Sequence, residues 1–454
     1  MVKLRIHAVL LALVVAAPGC DSQDGNVFIT LDYDSQTGRY RVGEAITPIA
    51  PVLNGSFFSN YAVNPALPNG LALDLVNGEI SGTPTAETPE GNFVVSADFE
   101  GDTFFTSIEI AVGPQLPASV QSLEDGFAAE EIATGLAKPV KMARAADGRV
   151  FFIELDTGNI RIIDANGALL PTPFATLPVV TGGERGLFGL ALSPNFANDG
   201  FVYVAVASPA AGADPDRTRI VRFTDVADLG TSETEIVDDL PLANTHNGGE
   251  IVFDELGNLF VSIGDNEDPS DAQSTASLAG KILRYTASGG IPASNPVAAS
   301  PIWCRGLRNT FALAVQPVSG ALFGADNGDT SDDELNFLAA GKNFEWGDTT
   351  GNLGPLIGVI VTTWSAPIAP TAIMFHDGAG GSELTGKLFV TSYVDEDIRV
   401  LGLTGPNSTV LQSESTFATF VPSADDNKPL DILENPDGSL VVSTFTTIYR
   451  IFKF

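Results

Sequence analysis

A histidine among small polar residues, an arginine beside an asparagine, and a run of carboxylates are where residue type and spacing point to chemistry in this chain. The first cluster reads Ala243-Asn244-Thr245-His246-Asn247-Gly248-Gly249-Glu250. An imidazole, with an ordinary pKa of about 6.5, is the side chain suited to taking a proton at neutral pH. The adjoining glycines let backbone approach a ligand closely. A lone histidine also serves as a core residue, so both roles stand for His246. The second cluster, Gly306-Leu307-Arg308-Asn309, sets a guanidinium beside an amide, donors suited to an oxygen-rich ligand. The third, Asp326-Asn327-Gly328-Asp329-Thr330-Ser331-Asp332-Asp333-Glu334-Leu335-Asn336, crowds five carboxylates into nine residues. Such a run repels itself unless it is solvated or bound to a cation, and oxygen-only donors favour Ca²⁺ over zinc. The spacing is not that of an EF-hand, so the fold must supply any geometry. An exposed acidic turn is the plain alternative.

These clusters lie between copies of one repeated phrase. Asp147-Gly-Arg-Val-Phe-Phe152, Asp199-Gly-Phe-Val-Tyr-Val204, Leu256-Gly-Asn-Leu-Phe-Val261, Ser319-Gly-Ala-Leu-Phe-Gly324, Thr385-Gly-Lys-Leu-Phe-Val390 and Asp437-Gly-Ser-Leu-Val-Val442 are six versions of it. Their glycines are 52, 57, 63, 66 and 52 residues apart. Each phrase is a turn glycine feeding a buried strand of β-branched and aromatic residues. Several are followed by a second strand, as at Asn159-Ile160-Arg161-Ile162-Ile163 and Lys281-Ile282-Leu283-Arg284-Tyr285. A repeat of this length holds four strands with their loops, the size of one propeller blade. The chain is therefore expected to be all-β, with a six-bladed β-propeller over residues 127–454. The phrases have no helical period, which excludes an α-solenoid, and 46 glycines and 29 prolines suit a fold rich in turns.

Upstream, residues 26–113 alternate apolar and polar residues in short runs separated by turns, the pattern of a small β-sandwich. The stretch from Tyr61 to Thr85, with Pro65-Ala-Leu-Pro-Asn-Gly70 and Gly78-Glu-Ile-Ser-Gly82-Thr-Pro84, resembles the immunoglobulin-like (cadherin-like) domain common in bacterial surface proteins. That resemblance implies a spacer or an adhesive module. Gly113-Pro114-Gln115-Leu116-Pro117 reads as the linker that follows. At the N-terminus, Lys3 and Arg5 precede an apolar run from Ala8 to Ala17, too short to span a bilayer, and Ala17-Pro18-Gly19-Cys20 resembles a bacterial lipobox. Residues 1–19 are thus expected to be a lipoprotein signal peptide and Cys20 the lipidated residue. The protein would be exported and held at a membrane by the lipid alone. A net charge of −33 sets the chain against phosphate backbones, so nucleic acid is not an expected partner. Of two cysteines, Cys304 is expected to be a buried free thiol; for His376, before the fifth phrase, a structural role is the first expectation and a place lining the channel the second.

Gly183-Glu184-Arg185-Gly186-Leu187-Phe188-Gly189-Leu190-Ala191-Leu192-Ser193-Pro194-Asn195-Phe196 resembles the first signature of the glucose/sorbosone dehydrogenase family. Thr245-His246-Asn247-Gly248-Gly249, Gly264-Asp265-Asn266, Leu278 to Arg284, Gly306 to Asn309, Asp332 to Asn336 and Gly341 to Gly347 continue the likeness across residues 127–452. The resemblance implies a soluble quinoprotein that uses pyrroloquinoline quinone (PQQ) and Ca²⁺ to oxidise an aldose, with electrons passed to an external acceptor. It implies that His246 is the base, and that Arg308, Asn309, Lys428, Glu184 and Thr245 contact the cofactor. Carbonyls of Gly328 and Asp329 would hold one Ca²⁺, and Glu334 with Asp333 a structural second. Departures from the family pattern are visible. Phe311 stands where a glutamine is usual, Gly328-Asp329 replaces Gly-Pro, and Thr391 to Asp395 supplies no lysine. Asn427-Lys428-Pro429-Leu430-Asp431 supplies Lys428 in place of two arginines. Two readings stay open: a PQQ-dependent aldose dehydrogenase, and a non-catalytic calcium-binding propeller, akin to Hedgehog-interacting-protein-like relatives, that binds carbohydrate or protein at the cell surface.

Overall fold

The computed structural model describes residues 29–52, 57–211, 215–348, 357–378, 384–422 and 427–454. The expected signal peptide and Cys20 lie outside them.

Each repeated phrase forms the second strand of a four-stranded antiparallel unit: Val150–Glu154, Phe201–Ser208, Asn258–Ile263, Leu322–Asp326, Leu388–Ser392 and Leu440–Ser443. These strands are buried almost throughout, because a second strand is covered by the sheet on either side as well as by its own neighbours. Six such units, hereafter blades one to six, begin with the inner strands Pro139–Arg144, Leu187–Leu192, Ile251–Phe253, Thr310–Val315, Pro370–Phe375 and Asp431–Glu434. Each inner strand packs on the next, and the sixth packs on the first, so the ring closes. Closure uses an early segment. Phe127–Thr134 pairs antiparallel with the last strand, Thr447–Lys453, and becomes the outer strand of blade six. Tying both ends of the ring into one sheet leaves no open edge between first and last blades. Val120–Leu123, ahead of the expected start of the propeller, adds a fifth strand to blade five.

The upstream domain pairs Thr37–Arg41, Asp102–Gly113, Thr88–Phe99 and Ser59–Asn64 in one sheet, with two short two-stranded sheets beside it. Its core includes Tyr33, Tyr61, Ile80, Val95, Ile108 and Ile110. It is docked on the closure. The buried Arg41 guanidinium donates to the carbonyls of Leu123, Glu124 and Phe127 at 2.9, 2.7 and 3.0 Å.

At the axis, three ionisable side chains meet inside the ring. Lys141 of blade one reaches Glu250, just ahead of blade three's inner strand, at 2.5 Å. Its ammonium also donates to the carbonyls of Thr371 and Phe311 at 2.9 and 3.3 Å. Asp431 of blade six accepts the Met142 amide at 2.6 Å. This knot borders a channel cavity of about 540 Å³ walled by the inner strands. Burial pushes the Asp431 carboxyl up to about 7, with Lys141 opposing and Glu250 adding to the rise. Asp431 therefore holds its proton more tightly folded than unfolded, and its contribution to stability is lost as pH rises from about 4 to 7. The melting temperature of Asp431→Asn is expected to gain on that of wild type over this interval. A constant difference from pH 4 to 8 contradicts the assignment.

Candidate active site

In a four-stranded antiparallel blade, the loops joining strands two and three emerge on the same face as those linking one blade to the next. The three clusters singled out above fall on such loops or on the strand ends that flank them. His246 sits between blades two and three, Asp265 between the second and third strands of blade three, and Arg308 and Asn309 between blades three and four. Sequence-distant residues are thereby gathered at one mouth of the ring. His376 is not among them: it follows an inner strand, emerges at the opposite face, and is buried with Nδ1 at 3.2 Å from Glu434. The turn after an inner strand leads away from this mouth, so His376 does not take the second of its two roles, a place lining the channel beside the site. Burial holds its pKa below the ordinary value.

His246 lies in the left-handed region, with φ of 56°. A non-glycine residue persists there where its surroundings fix it, a condition concentrated at functional sites. Its backbone N–H donates to Glu184 Oε2 at 2.7 Å, and its Nδ1 lies 2.7 Å from Asp265 Oδ1. The other Asp265 oxygen accepts the Trp346 indole N–H at 2.7 Å. Burial raises the Asp265 carboxyl, but the hydrogen bonds from His246, Trp346 and the Glu267 amide outweigh it and hold it below the usual carboxylate range. An ionised Asp265 accepts only, so Nδ1 carries the hydrogen and Nε2 is left as the proton acceptor. Asp265 and Trp346 were missed as site residues. The signal available was Gly264-Asp265-Asn266 directly after a buried strand.

Arg308 lies over the Trp346 ring, 5.5 Å from its centroid, and donates to the Asn327 carbonyl at 3.0 Å. The Gln273 amide supports Trp346 from behind by donating to its carbonyl at 2.6 Å. Asn309 is buried between two neighbours: its amide nitrogen faces Glu184 at 3.3 Å, and its oxygen accepts the Gly248 N–H at 3.1 Å. Buried Asp326 accepts from the amides of Arg308 and Asn309, at 2.9 Å each, and from the Thr310 hydroxyl at 2.8 Å. Desolvation nevertheless pushes its carboxyl up to about 6.

Beside these residues the mouth opens into a cavity of about 790 Å³, lined among others by Glu184, Phe188, Phe311, Asn327, Tyr393 and Phe445. The structure brings His246, Glu184 and Asn309 into one network and sets Arg308 against it through Trp346 and Asp265. Thr245 turns to another partner, its hydroxyl donating to Glu267 at 2.7 Å. Lys428 stands over the Tyr393 ring, 4.3 Å from its centroid, and pairs with Glu396 at 3.3 Å. In the acidic run, Asp333 is buried and occupied by backbone: it accepts from Gly328, Ile368 and Ala369 at 2.8, 2.7 and 2.7 Å. Asp329 faces Arg308 at 3.5 Å. Burial, with Asp326, Asp332 and Glu345 nearby, pushes the Glu334 carboxyl up to about 7, although Asn336 donates to it. Among the described residues, no group of three or more His, Cys, Asp or Glu side chains converges to hold a metal. Cys304 is a buried free thiol, as expected.

A ring of six blades with a histidine–carboxylate pair and an arginine–asparagine pair at one mouth defines a propeller of the sugar-dehydrogenase type. The chain belongs to the glucose/sorbosone dehydrogenase family, whose profile matches residues 136–447; an Ig-domain profile matches residues 29–113. It is 28% identical over 332 residues to the aldose sugar dehydrogenase of Escherichia coli (strain K12), covering 67% of this chain and 86% of that one. It is 27% identical over 199 residues to human Hedgehog-interacting protein, covering 37% of this chain and 28% of that one. The solved PQQ-bound form of aldose sugar dehydrogenase from Streptomyces coelicolor matches with a TM-score of 0.62 at 25% identity, covering 73% of this chain and 99% of that one.

Proposed function

We propose that this protein is a PQQ-dependent aldose dehydrogenase that oxidises the anomeric carbon of a sugar. The observation that carries this reading is the His246–Asp265–Trp346 chain beside a preformed cavity, because it leaves one imidazole nitrogen poised as a base. The donor set suits a flat, oxygen-rich cofactor. Asn327 Oδ1 and Arg308 Nε are buried without hydrogen-bond partners, the cavity is of ligand size, and Phe311, Tyr393 and Phe445 offer ring faces. Arg308 and Asn309 would hold the cofactor's oxygens, with Lys428 nearby. When bound, PQQ supplies the acceptor for the hydride leaving the anomeric carbon, and an external acceptor takes the electrons onward.

His246 Nε2 takes the proton of the anomeric hydroxyl as the carbonyl of the lactone forms. Asp265 fixes the tautomer and steadies the imidazolium that results, while Trp346 keeps Asp265 in place. Arg308 contributes positive charge where negative charge develops. The acidic run offers no convergent side-chain set for calcium, and no step here is routed through that ion. Export and a lipid anchor at Cys20 remain part of the proposal, and would place the reaction outside the cytoplasm.

The test is dye reduction by purified protein reconstituted with PQQ and supplied with aldoses. Asp265→Asn is expected to lower kcat by roughly 10²–10⁴-fold, because an amide donor at Nδ1 favours the tautomer whose Nε2 carries hydrogen. Unchanged turnover in a folded Asp265→Asn would remove the pair from the mechanism. The non-catalytic reading draws on the part-length likeness to Hedgehog-interacting protein and on Lys428 being already engaged by Glu396. It predicts no turnover with any aldose.

A further inference from the structure

The sequence has few cations where a tricarboxylate would need them, yet the structure gathers one from elsewhere. Lys138 lies on the connection into blade one and lines the mouth cavity. Its backbone is in the left-handed region, with φ of 53°. Two hydrogen bonds hold it there. Its N–H donates to the Phe445 carbonyl at 2.8 Å, and its carbonyl accepts the Leu155 N–H at 3.0 Å. A long β-unbranched side chain is not needed to make that turn, which glycine or asparagine would make with less strain.

Lys138 Nζ lies 6.0 Å from the Phe445 ring centroid, the Phe445 and Tyr393 rings are 6.0 Å apart, and Lys428 Nζ is 4.3 Å from the Tyr393 centroid. Cation, ring, ring, cation thus follow one another along the wall formed by blades five, six and one. His246 and Arg308 come from blades two to four, so the ladder and the reacting groups occupy different sectors of the mouth. Each lysine already has a carboxylate partner: Asp156 for Lys138 at 2.7 Å and Glu396 for Lys428 at 3.3 Å. The Lys138–Asp156 pair is about 40% exposed on both sides, and such surface pairs are weak, so an incoming carboxylate can replace Asp156 at little cost. The Lys428–Glu396 pair is only 14% and 12% exposed, so Lys428 keeps Glu396 and the Tyr393 carbonyl and has one of its three N–H donors left for a ligand.

We propose that Lys138 and Lys428, bridged by Phe445 and Tyr393, form the carboxylate-binding wall of the mouth and take the acidic edge of a flat polycarboxylate, namely PQQ. This rests on the functional reading above and adds Lys138 as a binding residue. The wall replaces a fixed guanidinium fork by two ammonium charges held over aromatic faces.

The test is PQQ binding to the apoprotein, followed by tryptophan-fluorescence quenching or calorimetry without sugar or dye. Wild type, Lys138→Gln, Lys428→Gln and the double variant are compared, with PQQ trimethyl ester as the uncharged probe. Each single substitution is expected to weaken PQQ binding by roughly tenfold and the pair by more, since charge-assisted bonds are the strong ones. The ester should bind all four proteins alike. Tight PQQ binding by wild type and by Lys138→Gln alike would overturn this inference while leaving the dehydrogenase reading intact. A wild type that binds no PQQ would end both. Melting temperatures near wild type would exclude misfolding as the cause of any loss.

Discussion

His246→Ala is expected to reduce sugar-dependent dye reduction by roughly 10²–10⁴-fold, the range that a positioned general base contributes. The loss should appear in kcat, because the imidazole acts on the proton in flight. The fold should survive, since the ring makes its hydrogen bond to Asp265 at the rim of the ring of blades and not within a blade. Asp265 then loses one partner and keeps two, the Trp346 indole and the Glu267 amide. PQQ affinity is expected to change little. A variant that turns over at the wild-type rate would show that another group takes the proton, and the tautomer argument would fall with it.

The second large effect concerns stability. Lys141→Met removes the ammonium that joins blade one to Glu250 and to two carbonyls across the axis. It leaves Glu250, already pushed up by burial against the pull of Lys141, without its counter-charge. Breaking one side of a buried pair typically costs about 3–5 kcal/mol, chiefly because the remaining charge stays desolvated. Equilibrium urea unfolding should register this as a lower midpoint with an unchanged slope. Adding Glu250→Gln should return much of the loss, since the orphan charge is then gone. If the single variant is as stable as wild type, the knot at the axis is not holding the inner strands.

The blade count was legible because each blade repeats the same turn glycine and the same buried second strand, and such a strand is buried wherever it falls in the ring. The outer strands were not. Phe127–Thr134 and Val120–Leu123 join blades whose other strands lie some 300 residues downstream, and that pairing is decided by ring closure, not by local period. The site divides in the same way. His246, Arg308 and Asn309 stand out by residue type, whereas Asp265 matters only because two kinds of loop emerge on one face, and Trp346 because the connection after the third strand of blade four comes back to Gly306 and Asp265. Lys141 was readable as a lone charge within Pro139-Val140-Lys141-Met142, but nothing local names Glu250 and Asp431 as its neighbours. Thr245 shows the converse: it flanks the histidine in sequence, and its hydroxyl is spent on Glu267.

On the proposed function, a quinone bound at the mouth of the ring would accept hydride from a sugar whose proton His246 takes. That step is tested most directly by mixing the PQQ-loaded protein with an aldose in the absence of any acceptor and following the cofactor's absorption. The spectrum is expected to change to that of the reduced cofactor in a single turnover with wild type, and far more slowly with His246→Ala. A loaded wild type whose spectrum stays oxidised with every aldose tried would contradict the claim and leave a propeller that binds without reacting.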